Sequence, residues 1–219
     1  MFNNRVMELL ILDNSVVELG GAVDENLLAE AAHIVNPTHI VLPDVMLNGL
    51  KTLEHGLRAL EWNLWDDHDH DQHAMYLPQG STLNKFARCA EPLANDPRIT
   101  MWGVPRNVAK YHGSRRDAIR LLHALNPNRR IHLFGFSDDM VDDLLCAQMP
   151  EVFSIDSAVP LRVKNFHIYD HVPPREGWWD TGQASESMFE NLKLARALFG
   201  GGGSGSGGSG GSGSGRGIP

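Results

Sequence analysis

The chain has 219 residues, and Gly200 to Gly217 hold 12 of its 22 glycines, so residues 1–199 are the foldable part and are expected to make one domain. A hydrophobic content of 42% and a charged content of 21% are ordinary for a globular protein, and no apolar run approaches the ~20 residues of a membrane span, which excludes a disordered body and membrane insertion. The net charge of -8 lacks the basic footprint of a protein that grips nucleic acid through many phosphates, although a local patch can work inside an acidic whole.

The N-terminus MFNNRVMELLILDN carries one arginine and a short apolar run ending at Asp13, with no small-residue cleavage site. It reads as a strand rather than a signal peptide, and a cytoplasmic protein is expected. Cys89 and Cys146 stand far apart without a CxxC, which argues against a disulfide framework and a cysteine zinc site and suits a reducing compartment.

Six short apolar segments are predicted strands: Val6 to Asp13, His39 to Asp44, His73 to Gln79, Ile99 to Val104, Arg130 to Phe136 and Val152 to Asp156. Between the first two, Leu27, Leu28, Ala31, Ala32 and Val35 mark one helix face; after the second, Leu50, Leu53, Leu57 and Leu60 mark another. Leu83, Phe86, Ala90 and Leu93 repeat the pattern after the third strand, with Pro92 expected to end or kink that helix. Further helices are predicted at Arg115 to Leu125, Asp138 to Gln148 and Ala184 to Leu198. Arg115, Arg116 and Arg120 are expected to form a solvated helix face. The tail from residue 200 to 219 is low in complexity, cannot bury a core and reads as a flexible appendage.

Near-continuous apolar strands alternating with helices define an α/β fold with a buried parallel sheet, either doubly wound or a (β/α) barrel. No GxGxxG follows a strand, so dinucleotide binding has no support. Polar residues recur at strand ends, at Asp13, Asp44, Gln79 and Asp156, and in a barrel those ends converge on one mouth. The expectation is therefore a TIM-type barrel, incomplete at six strands.

A carboxylate at the end of a buried strand is costly to desolvate unless a ligand, a partner or a hydrogen bond compensates. Each aspartate taken alone can equally cap a loop or helix; three on one rim favour a site. Paired carboxylates across an anomeric carbon support glycosyl transfer, one as nucleophile and one as general acid or base. Gln79 offers a donor and an acceptor for the edge of a purine-like base, and Gly80 allows close backbone approach. The stretch WDDHDHDQH, Trp65 to His73, has metal-binding residue types but imposes no fixed geometry, and reads as a solvated acidic loop, so no metal is expected. Trp178 and Trp179 read as packing of the C-terminal segment. Serine hydrolase, zincin and P-loop motifs are missing.

In order along the chain stand LDNSVVELGG (Leu12 to Gly21), LPDV (Leu42 to Val45), LPQGS (Leu77 to Ser81), MWGVP (Met101 to Pro105), HLFGFS (His132 to Ser137) and FSIDSAVPLR (Phe153 to Arg162). This series, over about residues 6 to 165, resembles the tRNA-guanine transglycosylase superfamily, with the LPQG turn and the last motif the most specific. The resemblance implies a (β/α) barrel in which Asp156 is the nucleophile that displaces guanine and Asp13 the general acid/base. It further implies that Asp44 and Gln79 hydrogen-bond the heterocycle, that Gly80, Gly103 and Val104 line it through backbone, and that Phe134 stacks on it.

The superfamily's zinc subdomain is missing, its Asp-Ser-Gly-Gly motif is here Asp13-Asn14-Ser15-Val16, and the chain is shorter than a tRNA enzyme. In these respects it is similar to phage-encoded 7-deazaguanine DNA transglycosylases. The resemblance thus implies exchange of guanine in DNA for a 7-deazaguanine such as preQ0, by base flipping and a covalent aspartyl intermediate, without cofactor or metal. A phage-encoded enzyme would act in the host cytoplasm. Two readings stand beside it: a tRNA-guanine (queuine) transglycosylase, and a non-catalytic protein that binds deazaguanine or nucleic acid. A barrel glycosidase or lyase with chance motif matches is the fourth.

Overall fold

Each consecutive pair of strands is joined through a helix, because parallel neighbours cannot be linked by a tight hairpin and need a crossover. The computed structural model describes residues 9–14, 24–62, 72–112, 114–135, 140–156 and 193. The strands are β1 (Ile11–Leu12), β2 (His39–Val41), β3 (His73–Tyr76), β4 (Ile99–Pro105), β5 (Arg130–Phe134) and β6 (Val152–Ile155). The helices are α1 (Glu25–Val35), α2 (Gly49–Ala59), α3 (Leu83–Ala90), α4 (Val108–His112), α5 (Arg115–Leu125) and α6 (Met140–Ala147), with a 3-10 turn at Glu91–Leu93.

All strand pairs are parallel and the sheet order is the chain order, β1 to β6. A sheet that never reverses its order has no switch point, and crossovers of one hand then keep every helix on one side. The sheet curls into a half-barrel. Among the described residues β1 and β6 are its two edges and do not pair with each other.

The two faces of the sheet divide the apolar residues by strand parity. On the convex side Tyr76, Trp102, Val104, Ile131 and Leu133 pack with Phe86, Leu93, Ile119, Leu122 and Cys146 of the helical layer, while Ile40 meets Leu28 and Ala32 of α1. On the concave side Val41, Met75, Leu77 and Met101 form a smaller cluster with Ile11 and Phe134. Both cysteines are free and buried.

Helix starts follow from local chemistry. Asp24, Asn48, Thr82 and Ser114 each accept a backbone N–H in the first turn of α1, α2, α3 and α5. Pro92 follows the end of α3 and sits in the 3-10 turn, where its missing N–H costs nothing.

Two expectations require correction. Of the four leucines expected on one face, Leu53 and Leu60 pack against the core but Leu50 and Leu57 are exposed, and the buried residues of α2 are Thr52, Gly56 and Ala59. Small residues let the helix lie close to the sheet: a Cβ on Gly56 would come within 2.9 Å of the Tyr76 ring, and Thr52 exchanges hydrogen bonds with Val45. Similarly, α1 buries Leu28 and Ala32 but exposes Leu27 and Val35. The second correction concerns Arg115, which is fully buried rather than solvated. Its guanidinium bonds Asp143 of α6 at 2.8 Å and the carbonyls of Val104, Phe134 and Gly135, tying the ends of β4 and β5 together. Arg116 and Arg120 do keep exposed side chains, paired with Asp142 and Asp117.

Several expectations fall on residues outside the described set: the 184–198 helix apart from Lys193, the 200–219 tail, Trp178 and Trp179, residues 65–71 of the acidic stretch, and the motif remainders at 15–21 and 157–162.

Candidate active site at the carboxyl ends of the strands

Parallel strands deliver their C-terminal ends to one rim, and the expected polar residues stand on it. Asp13 directly follows β1, Asp44 lies three residues past β2, Gln79 three past β3, and Asp156 directly follows β6.

The best-defined constellation centres on Asp44, which is 4% exposed. Its Oδ1 accepts from Asn14 Nδ2 at 2.8 Å and its Oδ2 from Gln79 Nε2 at 2.6 Å. Asn14 Nδ2 also donates to the Leu42 carbonyl, joining the ends of β1 and β2. Burial pushes the Asp44 carboxyl above its usual range, and the Asn14 and Gln79 amides and nearby His55 work against that rise. A carboxylate has about four lone-pair positions, so two amide donors leave acceptor capacity for a ligand's N–H groups.

The Gln79 amide is itself oriented. Its Oε1 accepts from Leu47 N at 3.2 Å, which leaves its NH2 end to Asp44. Leu47 adopts φ 61°, an unusual conformation for a side chain of that size, so backbone strain is held next to this amide.

At the other end of the rim, Asp156 Oδ1 accepts from Gly135 N at 2.7 Å and lies 3.8 Å from His132 Nε2. The Asp156 side chain is 58% exposed while that of His132 is 4% exposed. Burial drives the His132 imidazole down to about 4; Asp156 opposes this shift and Arg115 adds to it. Ser154 Oγ lies 2.8 Å from His132 Nδ1, and the Phe134 ring meets the imidazole edge-on at 4.5 Å between centroids.

Asp13 Oδ1 accepts from the Asn14 backbone N–H at 2.8 Å and the residue is exposed. Phe134 packs against the concave apolar cluster and is partly buried. Gly103 is on the same face, and a Cβ there would overlap Leu77 and approach the Phe134 ring within 2.8 Å. A Cβ on Gly80 would run into the backbone of Lys85 and Phe86, and the Gly80 carbonyl meets His112 Nε2 at 2.8 Å. Val104 turns its side chain into the convex core and gives its carbonyl to Arg115. The glycine identities at 80 and 103 thus have a packing origin.

Three further residues belong to the site. Asn14 stands where the motif departs from Asp-Ser, and that departure was its signal. His132 shares a strand face with Phe134, two residues on, and Ser154 faces it across the β5–β6 pairing. A cavity of about 270 Å3 lined by Asn95, Thr100, Asn126 and Arg129 lies at the opposite, amino ends of β4 and β5. Among the described residues no group of three or more His, Cys, Asp or Glu can hold a metal ion, and no helix is long and apolar enough to cross a membrane. No protein-family model matches the chain, and comparison with curated proteins gave no match.

Proposed function

We propose that the chain is a transglycosylase that exchanges guanine in DNA for a 7-deazaguanine base, on a rim belonging to a TIM-type (β/α) barrel. The observation that carries the reading is the pairing of an amide-clamped, buried carboxylate at Asp44 with an accessible, anchored carboxylate at Asp156 on one rim. The first suits recognition of a heterocycle's N–H groups and the second suits attack on a sugar carbon.

Duplex guanine is out of reach until its nucleotide leaves the stack. The flipped base would lie over Phe134 and present its N–H edge to Asp44. Attack by the Asp156 carboxylate on C1′ forms an ester bond as C1′–N9 breaks, and Asp13 donates a proton to the departing guanine. Asp13 then removes the N9 proton of the incoming deazaguanine, N9 attacks C1′, and Asp156 leaves as carboxylate. The new base has no N7 to protonate, so its own departure is disfavoured.

The two cysteines are free and buried and form no cysteine zinc set, which favours DNA over tRNA as substrate. The experiment is a trap: protein mixed with a guanine-containing duplex oligonucleotide and quenched in denaturant should show a covalent protein–DNA species that preQ0 discharges and that Asp156→Asn lacks. Persistence of the adduct in that variant would remove Asp156 as nucleophile.

A further inference from the structure

We infer that His132 is a positioning residue for the nucleophile, directing a neutral Nε2–H at one oxygen of Asp156, with the tautomer set by Ser154. The inference rests on the transglycosylase reading and adds to it a residue and a division of labour between the two carboxylate oxygens.

Three observations carry it. His132 is buried, yet its Nε2 makes no hydrogen bond among the described residues and faces Asp156 Oδ1 at 3.8 Å. Its other nitrogen, Nδ1, is 2.8 Å from Ser154 Oγ. The Gly135 amide meets the same Oδ1 at 2.7 Å. A buried polar nitrogen without a partner is costly, so its position opposite a carboxylate has to be accounted for.

The Ser154 hydroxyl can donate to Nδ1 or accept from it. Were Nδ1 protonated, the bare lone pair of Nε2 would face a carboxylate oxygen, an unfavourable contact. With Ser154 donating to Nδ1, the ring proton sits on Nε2 and points at Asp156. Burial, helped by the nearby Arg115 guanidinium and opposed by Asp156, disfavours a second proton and keeps the ring neutral. A neutral donor orients the carboxylate without quenching its nucleophilicity as a full cation would.

Oδ1 is thereby the anchored oxygen, held by Gly135 N–H and faced by His132 Nε2–H, and Oδ2 is the attacking one. In the first half-reaction the Oδ2–C1′ bond forms as C1′–N9 breaks. In the second, Oδ2–C1′ breaks and the electron pair returns to the carboxylate, where both N–H groups stabilise the charge shared onto Oδ1. No proton leaves the imidazole at either step.

The test has two arms. Nitrogen-15 NMR of the full chain at neutral pH, with the His132 signals assigned by their loss in His132→Gln, should show the Nε2–H tautomer and a shifted Nδ1 resonance in Ser154→Ala. An Nδ1–H tautomer or an imidazolium would overturn the inference whatever the chain's activity. In the exchange assay His132→Leu should lower kcat by about 100-fold with KM for the incoming base unchanged. His132→Gln, which can place an N–H near the same point, should restore most of the turnover. Equal kcat in wild type, Leu and Gln variants would refute the role, and so would a loss that Gln does not rescue. If the wild type exchanges no base in DNA or tRNA, the transglycosylase reading fails and the positioning role with it, while the NMR arm still decides the tautomer.

Discussion

Gln79 donates to Asp44 at 2.6 Å, the shorter of the two amide contacts that hold this buried carboxylate. Asp44 is therefore a preset acceptor. Truncating it should harm ligand capture more than folding: Asp44→Ala is expected to lose affinity for the incoming deazaguanine, read by calorimetry, while keeping a native circular dichroism spectrum. Unchanged affinity would count against the recognition role.

Asn14 is expected to matter for stability as well as for the site. Asn14→Leu removes a donor from a buried carboxylate and from the Leu42 carbonyl, and should cost about 1–3 kcal/mol in urea denaturation. Asn14→Asp should cost more, since it sets a second carboxylate against Asp44.

Arg115→Ala should be the most damaging of the single changes considered. It takes the guanidinium away from Asp143, whose side chain is fully buried, and from three carbonyls at the ends of β4 and β5. Removing one partner of a buried ion pair typically costs about 3–5 kcal/mol. A urea midpoint within error of wild type would contradict this placement.

Acid should weaken the fold through two imidazoles. His39 and His132 are both held down to about 4, in each case chiefly by burial, whereas in the unfolded chain they titrate near the ordinary histidine value of 6.5. The unfolded state therefore binds more protons across that interval, so this contribution is complete above about pH 6.5 and is lost as pH falls towards 4. Asp44, raised by burial, acts in the opposite sense and loses its contribution as pH rises through its folded pKa. Urea midpoints between pH 7 and 4.5 should fall in wild type and fall less steeply in His39→Gln.

The strand ladder was legible because six apolar segments are separated by helix-length stretches, and β5 and α5 appear where the sequence predicts them. Strand-end polarity likewise located the rim, since Asp13, Asp44, Gln79 and Asp156 need only chain position to be placed on it. Helix faces were less legible. Leucine spacing pointed to Leu50, Leu53, Leu57 and Leu60, of which only Leu53 and Leu60 pack against the core, while contact with Tyr76 is made through Gly56, a residue that carries no hydrophobic signal. Arg115 was hidden for a related reason: its burial depends on Asp143 and three carbonyls that are distant in sequence. His132 became visible only once β5 was set beside β6, and the partners of Asn14, whose departure from the motif was its one signal, only once β1 was set beside β2.

The central claim is base exchange at Asp156. Purified protein incubated with preQ0 and either duplex DNA or bulk tRNA, followed by nucleoside mass analysis, tests it most directly, with Asp156→Ala alongside. The account predicts a deazaguanine nucleoside in DNA, none in tRNA and none with the variant. Product in tRNA alone would move the substrate to the tRNA reading; product with Asp156→Ala, or none in either nucleic acid with wild type, would contradict the account.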